Sequence, residues 1–335
     1  MPLKVLHTIL VDPPVAIVGL SNWVLDSAKM NRAVCLQRPD PTEADMAATG
    51  GTIVQTSDGA GGNRRGAAQL NTLLSPMASA FHEVYTAQGG RDFIGMRDYY
   101  QLLKLLRKAI NGTGSGITPA VLTHALCRSF GGKPELLLRI LRIFHAHVAA
   151  ASGAKQPSLV ERVTKHQAAP AQDRALEAHE VPPTVDLIAS NLGDRGARHL
   201  MCLTRNAAAL PLLLGSGLVD RDPTKTRVLV GSEFPDDAGS ELYLVTQVHA
   251  VKAAMAEGKT LMLVNHDHVF EALYDVLNQR YLSKTDPVTG VQASFLRLAI
   301  GTRSQLCPVA PGFRIVVVTE QDHAYGHLDL ALLNR

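Results

Sequence analysis

An α/β fold with an intervening all-helical unit is predicted, on three observations. Short apolar runs bounded by polar or turn residues recur near both ends of the chain, as central strands of a parallel sheet do. Residues 67–151 carry helical periodicity alone. From residue 184 onward, strand-like and helical stretches alternate, which implies a parallel sheet covered by helices.

The elements follow in order. VAIVGL, Val15 to Leu20, lies between Asp12-Pro13-Pro14 and Ser21-Asn22 and reads as a strand. A second small strand is expected at Ala33 to Gln37. Gly50-Gly51 and SDGAGGNRRG at 57–66 read as loose loop. Leu70, Leu73, Leu74 and Met77 then have helical spacing, as do Leu102, Leu103, Leu105 and Leu106 within Met96 to Ile110. Thr118 is a good N-cap and Pro119 a good first helical residue, and that helix should stop at Gly131 in a left-handed conformation. Pro134 opens a further helix. Residues 152–183, rich in Ala, Pro, Gln and charge, read as a linker. Strands are then expected at 199–204, 227–232, 261–264 and 313–318, with helices at Tyr243 to Glu257 and Val269 to Tyr281.

The 335 residues suffice for two or three domains. With 33 basic against 30 acidic residues, the net charge of +3 is too balanced for a nucleic-acid groove or a membrane surface. No apolar run reaches the roughly 20 residues that cross a bilayer. The four cysteines, Cys35, Cys127, Cys202 and Cys307, form no C-x-x-C pair, which argues against a zinc finger or RING domain. Such sparse cysteines suit a reducing compartment and read as small buried residues.

A weak internal repeat follows. VAIVGLSN at 15–22 and FRIVVVTE at 313–320 are both apolar strands with polar tips, followed by Asn31-Arg32 and Asn334-Arg335. In ring-forming ATPases a polar strand tip reads the γ-phosphate. An arginine further on reaches the neighbouring module's nucleotide and neutralises charge on the transferred phosphoryl group.

The stretch GLSNWVLDSAKMNR at 19–32 closely resembles the mysterin family around its sensor 1 and arginine finger. FIGMRDYYQLLK at 93–104 is similar to that family's sensor-2 helix. MPLKVLH at 1–7, VGSEFPDD at 230–237, FEALYDVLNQRY at 270–281 and LALLNR at 330–335 also resemble it, in the same order; only about 134–183 matches poorly.

The family comprises giant proteins with tandem AAA+ ATPase modules and an E3 ubiquitin-ligase part, acting in the cytosol and on lipid droplets. The resemblance therefore implies AAA+ P-loop NTPase-like parallel-sheet cores with an intervening helical lid. Residues 1–55 would end the α/β core of a third module, 67–151 form its lid, and 184–335 form the core of a fourth, degenerate module without its own lid. ATP and Mg²⁺ would be the cofactors, and the partners would be neighbouring AAA+ modules and, through regions outside this chain, the ubiquitination machinery.

The resemblance assigns Asn22 as sensor 1, Arg97 as sensor 2, and Arg32 and Arg335 as arginine fingers. Asn22 also reads as a turn cap, and Arg97 as a surface partner of Asp98 or Asp92. No G-x-x-x-x-G-K-[ST] loop occurs in the chain. LTRNAAAL at 203–210 stands at the phosphate-loop position of the second module, with Arg205 for a lysine. Asn265 stands where a Mg²⁺-binding Asp is expected, and Glu271 matches a family glutamate. His266-Asp267-His268 invites a metal reading but lacks an evident third ligand; His323 and His327 share a face only if helical. Two functions remain: a motor fragment completing a nucleotide site, or a non-catalytic AAA+ scaffold transmitting motion. The missing phosphate loop favours the second for this chain.

Overall fold

The computed structural model describes residues 16, 18–19, 34–36, 39–56, 64–88, 94–113, 116–152, 181–232, 234–238, 240–270, 272–285, 292–300, 303–328 and 333. The chain divides into two units, residues 1–42 and 43–335. In the first, the described residues carry no helix or strand. Val34 and Leu36, inside the expected second strand, are exposed instead. Most of the expected first strand, and residues 153–180 of the expected linker, lie outside the described residues.

The second unit begins as a helical bundle. Its helices are α1 (Glu43–Thr56), α2 (Arg64–Thr86), α3 (Met96–Thr113), α4 (Pro119–Phe130) and α5 (Pro134–Ser152). Helix α1 replaces the loop expected at Gly50-Gly51. It docks on α2 and α3, and a Cβ at Gly50 would stand 3.0 Å from Leu74 Cδ2 and 3.1 Å from Leu103 Cδ1. The glycine is thus a close helix–helix approach rather than a breaker. One core runs through the bundle, from Met46 through Leu70, Met77, Leu103 and Leu126 to Phe144. Tyr99 lies fully buried against Phe81, ring centroids 4.9 Å apart.

Helix α4 starts as its sequence dictates. Thr118 Oγ1 accepts from Val121 N–H at 3.3 Å, and Pro119 follows it. The stop differs from expectation: Gly131 is right-handed (φ −68°). A Cβ there would meet the Cys127 carbonyl oxygen at 2.5 Å, so the glycine answers a close approach rather than a left-handed turn.

The α/β part follows. Helix α6 (Thr184–Gly193) leads into β1 (Leu200–Thr204), α7 (Ala209–Gly215), β2 (Thr226–Val230), α8 (Pro235–Ala238), α9 (Glu241–Glu257) and β3 (Thr260–Val264). A short 3₁₀ turn (Asp267–Val269) and α10 (Tyr274–Leu277) precede β4 (Leu282–Thr285), β5 (Gln292–Ile300), β6 (Arg303–Val309), β7 (Arg314–Glu320) and α11 (Gln321–Gly326). The helix expected over Val269 to Tyr281 is reduced to those two short turns, and Gln279, at φ 54°, stands just past the second.

The parallel sheet has the order β1-β7-β3-β2. Its central strands are buried on both faces. Leu261, Leu263, Ile315 and Val317 pack beneath α9, while Met262, Val264, Val316 and Val318 face Leu213 of α7 and Ile188 of α6. The chain adds an unforeseen antiparallel sheet, β4-β5-β6, whose Leu296, Leu298, Cys307 and Val309 join the α9 side of the core. Cys127, Cys202 and Cys307 are buried as expected, whereas Cys35 is exposed.

Candidate functional site at the carboxyl ends of the parallel strands

Ligands of open α/β sheets bind beyond the strand carboxyl ends where successive helices diverge to opposite faces. Here α7, after β1, packs on one face through Leu213, and α11, after β7, packs on the other through Ala324. The crevice therefore lies between β1 and β7, and the turn 205–208 forms one wall.

That turn contains no glycine. Asn206 and Ala207 nevertheless stand at φ 55° and 53°, a region that residues with a Cβ enter at a cost. Their backbone N–H groups point at one carboxylate: Asn206 N–H donates to Glu320 Oε2 at 3.1 Å, and Ala207 N–H to Glu320 Oε1 at 2.7 Å. Thr204 Oγ1 accepts from Ala209 N–H at 3.0 Å and closes the turn. Arg205 Nε donates to Gln321 Oε1 at 2.9 Å. Glu320 is the polar tip of the run FRIVVVTE, but sequence reasoning did not foresee its contact with this turn.

At the end of β3, Asn265 is exposed and left-handed (φ 46°). Its N–H donates to Val318 O at 2.9 Å, while Gly231 N–H donates to Val264 O at 2.8 Å. A Cβ on Gly231 would lie 1.8 Å from the Asn265 carbonyl oxygen, so β2 and β3 exit in direct backbone contact. His266 beside it is 1% exposed, with neither ring nitrogen hydrogen-bonded among the described residues. Burial, aided by the charge of His268, lowers its pKa. Asp267 pairs with His323 Nε2, and the His323 ring stacks on His327 at 5.2 Å, the two lying on and just past α11. Among the described residues no three potential ligands converge as a metal site requires.

A magnesium nucleotide does not fit this crevice. The N–H groups that would cradle phosphate already hold Glu320, Arg205 is held by Gln321, and Asn265 supplies no negative charge for Mg²⁺.

Of the remaining residues from the sequence, Arg97 alone is among those described. Asn22, Arg32, Glu271 and Arg335 lie outside the described residues. Arg97 sits in the first turn of α3, exposed, with Nη1 donating to Asn278 Oδ1 at 3.2 Å across to the α/β part. Its neighbour Asp98 instead caps α3, accepting from Gly95 N–H at 2.9 Å.

A second cluster joins bundle and sheet. Asp194, 7% exposed, follows α6. Lys108 of α3 bonds its Oδ1, Gly196 N–H donates to the same oxygen at 2.9 Å, and Arg128 Nη2 of α4 lies 3.5 Å from Oδ2. Arg128 Nη1 also donates to Ser190 Oγ at 3.3 Å. From β7, Arg314 donates to Asn191 O at 2.7 Å and to Asp194 O at 2.6 Å. Burial would raise the Asp194 pKa, but the Lys108 and Gly196 bonds and the charges of Lys108 and Arg128 outweigh it and hold the carboxyl below its ordinary value. A separate contact also joins bundle and α/β part: Tyr325 donates to Gly132 O, and Lys133 Nζ lies 5.0 Å from the centroid of the Tyr325 ring.

Two distinct family models match the chain, at residues 1–45 and 189–335, together more than half of it. Both are described as RNF213 AAA domain, and they carry the numbers 4 and 5 in that series. The whole chain is similar to curated proteins named E3 ubiquitin-protein ligase RNF213, 30% identical over 346 residues in Mus musculus and 31% in Homo sapiens. E3 ubiquitin-protein ligase rnf213-beta of Danio rerio is 29% identical over 351 residues. In each case all of this chain is covered, but it spans only 6% of the relative's length. No described helix is long and apolar enough to cross a membrane.

Proposed function

The chain belongs to the RNF213, or mysterin, family, and from that premise we propose that it is a nucleotide-silent relay between AAA+ modules of a larger ATPase and E3 ubiquitin ligase. The helical bundle, as lid of the first module, senses that module's state. The second α/β core passes the movement on without turning over ATP itself.

The observation that carries this reading is the Asp194 cluster. Side chains of two bundle helices and of β7 converge on residues 190–196; Asp194 and Arg128 have little exposure to water, whereas Lys108 reaches in from the surface. Removing one partner of a buried ionic network leaves the others uncompensated, at a cost of about 3–5 kcal/mol. The cluster therefore resists separation of bundle and sheet.

Thermal unfolding of the 335-residue chain, followed by calorimetry, tests it. Wild type should unfold in one transition, unshifted by ATP and Mg²⁺, and Asp194→Ala should unfold in two, bundle and sheet apart. Lys108→Met, on an exposed stem, should weaken the coupling without endangering folding. A single transition in both variants would sink the relay. An ATP-dependent rise in wild-type melting would sink nucleotide silence.

A further inference from the structure

The turn after β1 has the conformation of an anion cradle and already contains an anion. In the β1–β7 register Thr204 pairs with Glu320, so the Glu320 side chain starts level with the end of β1 and reaches just past it. Each carboxylate oxygen takes one N–H, from Asn206 at 3.1 Å and from Ala207 at 2.7 Å. Successive backbone N–H groups converging on one point form the concavity in which other proteins bind phosphate oxygens. Glycine supplies the left-handed residues in phosphate loops at no steric cost. Here Asn206 and Ala207 take that conformation without it, so something must hold them, and the carboxylate is the group in contact with both N–H donors.

We propose that Glu320 is a built-in substitute for a nucleotide phosphate, which keeps the turn in its anion-binding shape and keeps free phosphates and nucleotides off it. Arg205 completes the arrangement. Its guanidinium is tied to Gln321, the residue after Glu320, rather than left free beside the turn. The inference deepens the nucleotide-silent half of the reading above and is independent of the Asp194 cluster. Its readout, at two backbone amides, also differs from the unfolding transitions that test the relay.

The experiment is residue-resolved hydrogen exchange on the 335-residue chain, wild type against Glu320→Ala, with and without millimolar pyrophosphate. In Glu320→Ala the amides of Asn206 and Ala207 should exchange at least about tenfold faster than in wild type. Pyrophosphate should restore their protection in the variant and leave wild type unchanged. A parallel arm with ATP and Mg²⁺ separates the sources: protection by pyrophosphate alone marks a bare phosphate site, and protection by both marks a latent nucleotide site. Wild-type exchange rates in the variant would overturn the proposal, because the turn would then hold itself. Faster exchange that pyrophosphate does not reverse would overturn it equally, since the carboxylate would be a strut rather than a phosphate substitute. Should Glu320→Ala fail to fold, Glu320→Gln keeps the volume and one acceptor oxygen. It should still speed exchange at one of the two amides, and unchanged rates there would count against the proposal.

Discussion

His199 is expected to make the protein acid-sensitive. Its ring bridges two elements of the α/β part: Nδ1 accepts from Ile315 N–H at 3.1 Å, and Nε2 donates to Val276 O at 3.2 Å. One nitrogen must donate and the other accept, so the ring has to be neutral. Burial, reinforced by the charge of Arg314 and only partly offset by the Val276 bond, lowers its pKa from 6.5 to about 4. In the unfolded chain the same ring takes up its proton near pH 6.5, so stability is full above that pH and drains away as the pH falls toward 4. Linkage between those two values gives a loss of about 2 kcal/mol at pH 5 and about 3 kcal/mol at pH 4. Urea denaturation of wild type and His199→Gln at pH 8, 7, 6 and 5 measures it. The variant should begin less stable but lose about 2 kcal/mol less between pH 8 and pH 5. Asp98 acts in the opposite sense, because burial raises its carboxyl to about 6 and acid relieves that burden. It is common to both proteins and cancels in the difference. Equal losses in the two proteins would refute the neutral-bridge account.

Two further substitutions test the local geometry. Gly231→Ala would drive a methyl to 1.8 Å from the Asn265 carbonyl oxygen; because backbone has to move, it should cost more than about 3 kcal/mol or prevent soluble expression, and a near-normal melting curve would contradict the packing described. Thr118→Ala removes the side-chain acceptor for Val121 N–H and should lower stability by about 1 kcal/mol in chemical denaturation, with a shift under a few tenths counting against its capping role.

The strands of the parallel sheet were legible because each is a short β-branched or aliphatic run with polar residues at both ends, and a strand covered on both faces needs no alternation. The start of α4 was legible for a similar reason: Thr118-Pro119 is a local signal acting on its own backbone. Contacts between distant residues left no such trace. Gly50-Gly51 looked like a breaker, since nothing nearby reveals that Leu74 and Leu103 lie where side chains would stand. The β4-β5-β6 sheet escaped notice because its strands take their partners and their buried face from each other and from α9. At the candidate site, the turn at 205–208 was recognisable by its place after β1 and its lack of glycine. What fills it comes from over a hundred positions away, because Glu320 reaches the turn only through β1–β7 pairing. Asp194 was equally hidden, as one acid among many until Lys108, Arg128 and Arg314 are brought around it.

The buried strand β7 reads Arg-Ile-Val-Val-Val-Thr-Glu. Its middle is almost uniform and is covered on both faces, so hydrophobicity alone would tolerate a slip of one or two positions against β1 and β3. The ends do not allow it. Arg314 is fixed to carbonyl groups at 191 and 194, and Glu320 to amides at 206 and 207. Any slip would pull both charges away from the backbone dipoles that receive them and draw one toward the apolar interior. Opposite charges at the two ends thus act as alignment pins, setting the register of a strand whose own apolar sequence leaves it undetermined.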